Sequence, residues 1–140
     1  MFKVIDFKND RKLVDGIINM LRDDAKSPFD YLSEPLSSLL GLVTNPVVDR
    51  KLGTLINDDG IICGYVVFSF SEIHQFYVAP DYRNQRLGRE MLSKLTQVFK
   101  LRGLSRVVVN VLHTEQARRF WVGNGALPED ANSHLYIILL

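Results

Sequence analysis

Among 140 residues there is one cysteine, one tryptophan and three histidines, and neither sign of charge prevails. The lone Cys63 can form no internal disulfide, which fits a reducing compartment, and inside the apolar run IICGYVVF it reads as a small buried hydrophobe. Seventeen basic residues against sixteen acidic ones leave a formal net charge of +1, so no global field draws the chain to nucleic acid or to an acidic membrane surface. No basic start leads into an apolar core and cleavage site, and the apolar run at 61–70 is too short to cross a bilayer. The expectation is a cytoplasmic protein without a membrane or nucleic-acid partner. Histidine, cysteine and carboxylates nowhere cluster at ligand spacing, so no metal is expected. The paired glycines, Lys and Ser or Thr of a nucleotide P-loop are absent, as is the glycine fingerprint of dinucleotide sites.

What is present is alternation of strand and helix over a length that suits a single domain, 1–140. The run FKVIDF at 2–7 reads as a strand. Asn9 or Asp10 could cap a helix carrying Leu13, Val14, Ile17, Ile18 and Leu21 at helical spacing. Pro28, Pro35 and Pro46 break the next segment around a short helix at 36–42. KLGTLIN and IICGYVVFSF then flank Asp59-Gly60, whose pairing suits a tight hairpin turn. A strand at 72–78 follows, and Leu87, Met91, Leu92, Leu95, Val98 and Phe99 form a helical stripe ended by Gly103. RVVVNVL, TEQARRFWVGNG and HLYIILL read as strand, helix and strand. The pattern predicts an α/β mixed sheet covered by helices.

The segment EIHQFYVAPDYRNQRLGREML, residues 72–92, carries the strongest chemical signal. An alternating strand passes through Pro80 into a basic turn and then a helix. First-turn N–H groups lack helical partners and sit at the positive end of the dipole, so the stretch from Arg83 to Arg89 could hold a pyrophosphate. Arg83, Arg86, Arg89, Arg102, Arg106, Arg118 and Arg119 all follow residue 80. Asp23, Asp24, Asp30 and Glu34 lie in the first quarter, which predicts a basic anion-binding half and an acidic acceptor side.

Arg83-Asn84-Gln85-Arg86-Leu87-Gly88 resembles the acyl-CoA motif of the Gcn5-related N-acetyltransferases: Gln or Arg, two residues, Gly, one residue, Gly or Ala. Val78-Ala79-Pro80-Asp81-Tyr82 is similar to the family's lead-in. Arg86 stands where the family has its first glycine; the expectation is a right-handed first helical turn that tolerates the side chain. Thr114-Glu115-Gln116-Ala117-Arg118-Arg119-Phe120-Trp121-Val122-Gly123-Asn124-Gly125 resembles the family's helix after its fifth strand. There Thr114 takes an Asn position associated with the pantetheine arm, and Trp121 takes a Tyr position.

The resemblance implies a sheet of about six to seven strands with about four helices, splayed between its fourth and fifth strands around acetyl-CoA as co-substrate. It implies cofactor contacts from the backbone of Phe76, Tyr77 and Val78, from the turn Arg83, Asn84, Gln85, Arg86, Leu87, Gly88 and Arg89, and from Thr114 and Phe120. The implied reaction is direct acetyl transfer to a primary amine, on a small molecule or a protein, in a ternary complex. Family members often form homodimers.

A free lysine-like amine has a pKa near 10.4, so at pH 7 its deprotonation costs about 4.6 kcal/mol, whereas a thiol of pKa near 8.5 leaves readily. Candidate bases therefore matter more than candidate acids. One branch of the family has a glutamate on its fifth strand where this chain has Asn110. Glu72 resembles the glutamate that another branch places at the start of the fourth strand. Strand alternation predicts Glu72, His74, Phe76 and Val78 on one face, which would set the His74 imidazole beside the Glu72 carboxylate. Either could be the base. His113 and His134 read as structural, and Tyr77 and Tyr136 as packing residues. Arg86, Asn110 and Trp121 motivate an alternative, a module of this fold that binds acetyl-CoA or a protein partner without catalysis.

Overall fold

The structure, a computed structural model, describes residues 1–25, 33–112, 114–130 and 132–140. The irregular segment expected around Pro28, with Asp30, and the candidate His113 lie outside the described residues, as do the side chains of Glu34 and Pro35. Seven strands form one sheet: β1 (Phe2–Val4), β2 (Lys51–Ile56), β3 (Ile62–Phe68), β4 (Glu72–Val78), β5 (Arg106–Asn110), β6 (Leu127–Pro128) and β7 (Leu135–Leu139). Their order is β1-β2-β3-β4-β5-β7-β6. Every pairing is antiparallel except β4 with β5. Among the described residues four α-helices cover it: α1 (Arg11–Ala25), α2 (Ser33–Thr44), α3 (Leu87–Leu101) and α4 (Glu115–Gly123). The mixed sheet and four helices match the fold class that the sequence predicts.

Each face of the sheet buries its own core. Val14, Ile17, Ile18 and Leu21 of α1 and Leu39 and Leu42 of α2 pack on Leu52, Tyr65, Val67 and Tyr77. On the other face Met91, Leu92, Leu95 and Phe99 of α3 and Trp121 of α4 meet Val66, Phe68, Ile73, Val107 and Val109. The 3.6-residue stripes of α1 and α3 supply these contacts, and burying each such side chain stabilises the fold by about 1.5–3 kcal/mol. Gly60 at φ 79° closes the β2–β3 hairpin, and Gly103 at φ 80° ends α3 in the left-handed conformation that a C-terminal glycine supplies without a Cβ penalty.

Asp10 does precede α1, but its carboxylate accepts from Lys3 Nζ (2.8 Å) and Asp6 N (2.8 Å). The Lys3 bond holds its pKa below the usual carboxylate value.

Candidate active site

β4 and β5 pair at only two positions, Glu72 with Val108 and Ile73 with Val109. Beyond them β4 stays with β3 as far as Val78, and β5 stays with β7 as far as Asn110. The two parallel strands therefore part, leaving a cleft of about 80 Å³ lined by His74, Gln75, Phe76, Asn110, Leu112, Ala117 and Trp121, with Tyr65 and Tyr77. Phe76, Phe120 and Trp121 form an aromatic cluster there, with centroids 5.0–5.3 Å apart.

Backbone direction distinguishes the three β4 residues predicted to hold pantetheine. Ala79 N donates to Cys63 O (2.8 Å). By the two-residue period of an antiparallel ladder, Tyr77 also directs its N–H and C=O toward β3, while those of Phe76 and Val78 face the parted side. Strand-like pairing with an extended, amide-bearing ligand is thus open to both backbone groups of Phe76 and to the N–H of Val78, whose carbonyl already accepts from Arg83 Nε (2.8 Å), and not to Tyr77. The Tyr77 side chain lies on the α1 face, where its hydroxyl donates to the Asp24 carboxylate.

The turn after β4 is a 3₁₀ turn at Pro80–Tyr82 followed by Arg83–Arg86 and α3. The first helical bond of α3 runs from Glu90 N to Arg86 O (3.0 Å), and the Arg86 side chain at the N-cap makes no capping bond. The N–H groups of Leu87, Gly88 and Arg89 are left outside the ladder, at a helix start that packs beside Val78 and Phe120. A Cβ built on Gly88 would lie 3.1 Å from the Phe120 ring and 3.5 Å from Val78 Cγ2, so glycine lets the α3 start sit close to β4 and α4.

The side chains and backbone of the turn are arranged differently from a simple anion cradle. Arg86 is left-handed (φ 63°, ψ 11°), contrary to the right-handed first turn expected from the sequence, because the chain must reverse direction before α3 begins. Asn84 is also left-handed (φ 61°). The conformation costs a non-glycine residue about 1–2 kcal/mol. Arg86→Gly is expected to stabilise the fold by about 0.5–1 kcal/mol in a denaturant titration, the relief being partly offset by the greater freedom of the unfolded chain. Arg83 has its Nε on Val78 O (2.8 Å) and its guanidinium 5.4 Å from the centre of the Tyr77 ring. It braces the turn against β4. Arg89 places its side chain along an open groove between α3 and β7, away from the cleft.

A β-bulge rearranges the candidate bases. Val67 pairs with Gln75 and Phe68 with Ile73, so His74 is an extra residue in β4. Ile73 thereby shares the α3 face with Phe76 and Val78. The expectation that Glu72, His74, Phe76 and Val78 share one face fails at this bulge: Glu72 and His74 stay together on the α1 face, and Phe76 and Val78 turn to the other. His74 Nδ1 lies 3.8 Å from Glu72 Oε1, and His74 Nε2 lies 3.0 Å from Ser69 Oγ. The His74 side chain is 16% exposed and that of Glu72 36%. Burial and the nearby Arg50 hold the His74 pKa below its ordinary value of 6.5, against the opposing pull of Glu72 and Asp49. A neutral imidazole with a carboxylate nearby can take up a proton at neutral pH.

The remaining candidates have structural duties. Thr114 caps α4, its hydroxyl accepting from Ala117 N (3.1 Å). Phe120 packs on Phe76 and beside Gly88. Trp121, at the Tyr position, is 4% exposed and belongs to the core. His134 pairs through its backbone, its carbonyl accepting from Val111 N (2.9 Å). Burial pushes the Cys63 thiol up. Sequence reasoning missed Tyr65 and Gln75. The fully buried Tyr65 hydroxyl donates to Gln75 Oε1 (2.9 Å) at the cleft wall, and burial raises its pKa. Tyr65 lay hidden within an apolar run; alternation alone put Gln75 off the expected face.

A parted pair of parallel strands with outward backbone amides, ending at an uncapped basic helix start, is a receptor for a ligand that is amide-rich along its length and anionic at one end. The chain belongs to the acetyltransferase (GNAT) family, whose profile matches residues 18–125. Members of this family use acetyl-CoA, which makes the protein an N-acetyltransferase-type enzyme. Solved structures of the same fold include a GNAT-family acetyltransferase from Staphylococcus aureus Mu50, at 16% identity and TM-score 0.72 over 100% of this chain and 99% of that one. GCN5 of Tetrahymena matches at 13% and 0.72 over 99% and 95%. The PaiA N-acetyltransferase of Thermoplasma acidophilum, in complex with coenzyme A, matches at 14% and 0.65 over 98% and 95%. No curated protein sequence matches significantly.

Proposed function

We propose that this protein transfers the acetyl group of acetyl-CoA directly to a cationic primary amine in a ternary complex in the cytoplasm, with His74 as the base. The observation that carries the reading is the His74 bulge. It sets an imidazole of depressed pKa at the point where β4 leaves β5, on the cleft between the parted strands, while the basic turn and the start of α3 follow the far end of β4. Acetyl-CoA would lie with its pyrophosphate at the N–H groups of 87–89 and its pantetheine amides along Phe76 and Val78. The amine would approach from the α1 side, where Glu72 and the Tyr77-bound Asp24 favour a cation.

The base removes a proton from the ammonium, the amine attacks the thioester carbonyl, and the C–S bond breaks with CoA leaving as thiolate, which takes up the second proton that the nitrogen sheds as the amide forms. The low pKa of a thiol makes a strong general acid dispensable, so a core Trp121 in the Tyr position is tolerable. Arg86→Gly, while stabilising the fold, should weaken acetyl-CoA binding about fivefold, ~1 kcal/mol for an exposed charged contact.

Calorimetric titration with acetyl-CoA, followed by thiol release over lysine, peptide amino termini and polyamines, tests the reading. Binding with release is expected. The core position of Trp121 and the uncharged Asn110 favour a second reading, an acetyl-CoA-binding regulatory module. Binding without release for any amine would select it, and absence of binding would remove both.

A further inference from the structure

The β3–β4 turn, Ser69–Ser71, is held from three sides. Arg102, the residue that closes α3, donates from Nη1 to Ser69 O (2.9 Å) and Phe70 O (3.0 Å). Its guanidinium carbon lies 5.5–5.6 Å from the ring centres of Phe68, Phe70 and Phe99, so cation–π attraction fixes the plane from which those bonds are given. Ser69 N donates to Glu72 O (2.9 Å), and Val108 N donates to Ser71 O (3.0 Å). A turn locked in this way presents the Ser69 hydroxyl to His74 Nε2 at 3.0 Å.

We infer that Ser69 and Arg102 are positioning residues for His74, and that Nδ1 is the ring nitrogen that takes the amine's proton. The inference rests on the acetyl-transfer reading above for its kinetic consequence, though not for its geometry. Nε2 is covered at 3.0 Å by the hydroxyl of Ser69, whose backbone the Arg102 clamp holds in place. If the lone pair were on Nε2, Ser69 would block it. With the proton on Nε2 and donated to Ser69 Oγ, the lone pair is on Nδ1. The nearest carboxylate oxygen, Glu72 Oε1, is then 3.8 Å away, too far for a direct bond and far enough for a donor to sit between the two.

Two acceptors spaced so match two N–H bonds of one primary ammonium. The lone pair takes one proton, the carboxylate holds another, and the nitrogen is left with its pair free to attack. The imidazolium formed is stabilised by Glu72 and keeps its Nε2–H on Ser69. The charges around the ring are Glu72 on its own strand, Asp49 and Arg50 ahead of β2, and Arg102 behind Ser69. Without the hydroxyl, Glu72 would draw the ring proton to Nδ1 and close the reactive nitrogen.

Long-range proton–nitrogen correlation spectra of the histidines, assigned by His74→Gln and recorded near pH 8, read the tautomer in the resting full chain. The wild type is expected to carry its proton on Nε2. Ser69→Ala should shift the population toward Nδ1–H and lower kcat tenfold or more, the scale on which losing an orienting partner costs a histidine site, with KM for acetyl-CoA unchanged. Ser69→Thr, which keeps the hydroxyl, should restore both, and Arg102→Gln should reproduce both effects in weaker form. A wild-type ring protonated on Nδ1, or a Ser69→Ala protein with unchanged tautomer and kcat, overturns the inference. Because the spectra need no turnover, a protein that acetylates no amine yet shows Nε2–H would overturn the reaction and uphold the geometry.

Discussion

His74→Gln is expected to lower kcat by about 100-fold or more near neutral pH, the usual range for losing a positioned general base, while leaving acetyl-CoA affinity within twofold. The separation follows from the architecture. In the proposed complex acetyl-CoA would lie along the backbone of Phe76 and Val78 with its pyrophosphate at the N–H groups of 87–89, and His74 sits at the closed end of the gap on the opposite face of the sheet. The deficit should shrink as pH rises toward the amine's own pKa, because a free amine no longer needs the base. In the wild type, His74 must be neutral to accept a proton. Its pKa is depressed below 6.5, so activity should hold through neutral pH and fall on acidification only below that value. Glu72→Gln should cost about tenfold and move the acid limb to lower pH, since the carboxylate raises the imidazole pKa and its removal lowers it. The reverse ranking, with Glu72→Gln the more damaging change, would make Glu72 the base. Stability follows the same sign. The folded protein binds fewer protons at His74 than the unfolded chain does, so this contribution is present above about pH 6.5 and is lost on acidification.

The stripes of α1 and α3, the hairpin at Asp59-Gly60 and the two motifs flanking β5 were legible in the sequence because each depends on local periodicity or on a turn residue. Even the short β6, absent from that reading, only extends an edge. What was hidden depends on register between strands. The bulge at His74 exists because β3 reaches its turn one residue sooner than β4 leaves it, and a single strand's alternation carries no sign of that count. Arg86 misled for a related reason: its handedness is imposed by the path from Pro80 to Leu87, and the arginine itself gives no warning of φ 63°. Ser69 read as part of an ordinary turn. Its importance appears only when Arg102, 33 residues away in sequence, reaches its carbonyl.

Gly64→Ala is the second large effect, and it tests the strand geometry on which the cleft depends. A Cβ at Gly64 would lie 2.3 Å from the Tyr77 carbonyl oxygen and 3.2 Å from Val78 Cα. Both obstacles are backbone, so no side-chain rotation relieves them, and β3 must separate from β4 at the pair Gly64–Val78. Gly64 O is also the acceptor for Thr54 Oγ1 (2.9 Å), and Thr54 is fully buried, so movement of β3 endangers a buried hydrogen bond as well. The expected cost is about 3 kcal/mol, the upper end of ordinary overpacking, or roughly 10 °C in Tm for a chain of this size.

The useful comparison is Gly41→Ala in α2, where a Cβ meets no atom of the described residues within 4 Å and alanine should stabilise the helix by up to about 1 kcal/mol. Folded Gly64→Ala protein should also bind acetyl-CoA more weakly. Displacing β4 at Tyr77 and Val78 moves the Val78 carbonyl that anchors Arg83, and with it the turn whose N–H groups would face the pyrophosphate in the proposed complex. Unchanged Tm would show that the β3–β4 spacing adjusts freely. A lowered Tm with unchanged acetyl-CoA affinity would separate the strand pair from the cofactor site and move the pantetheine contacts off Phe76 and Val78.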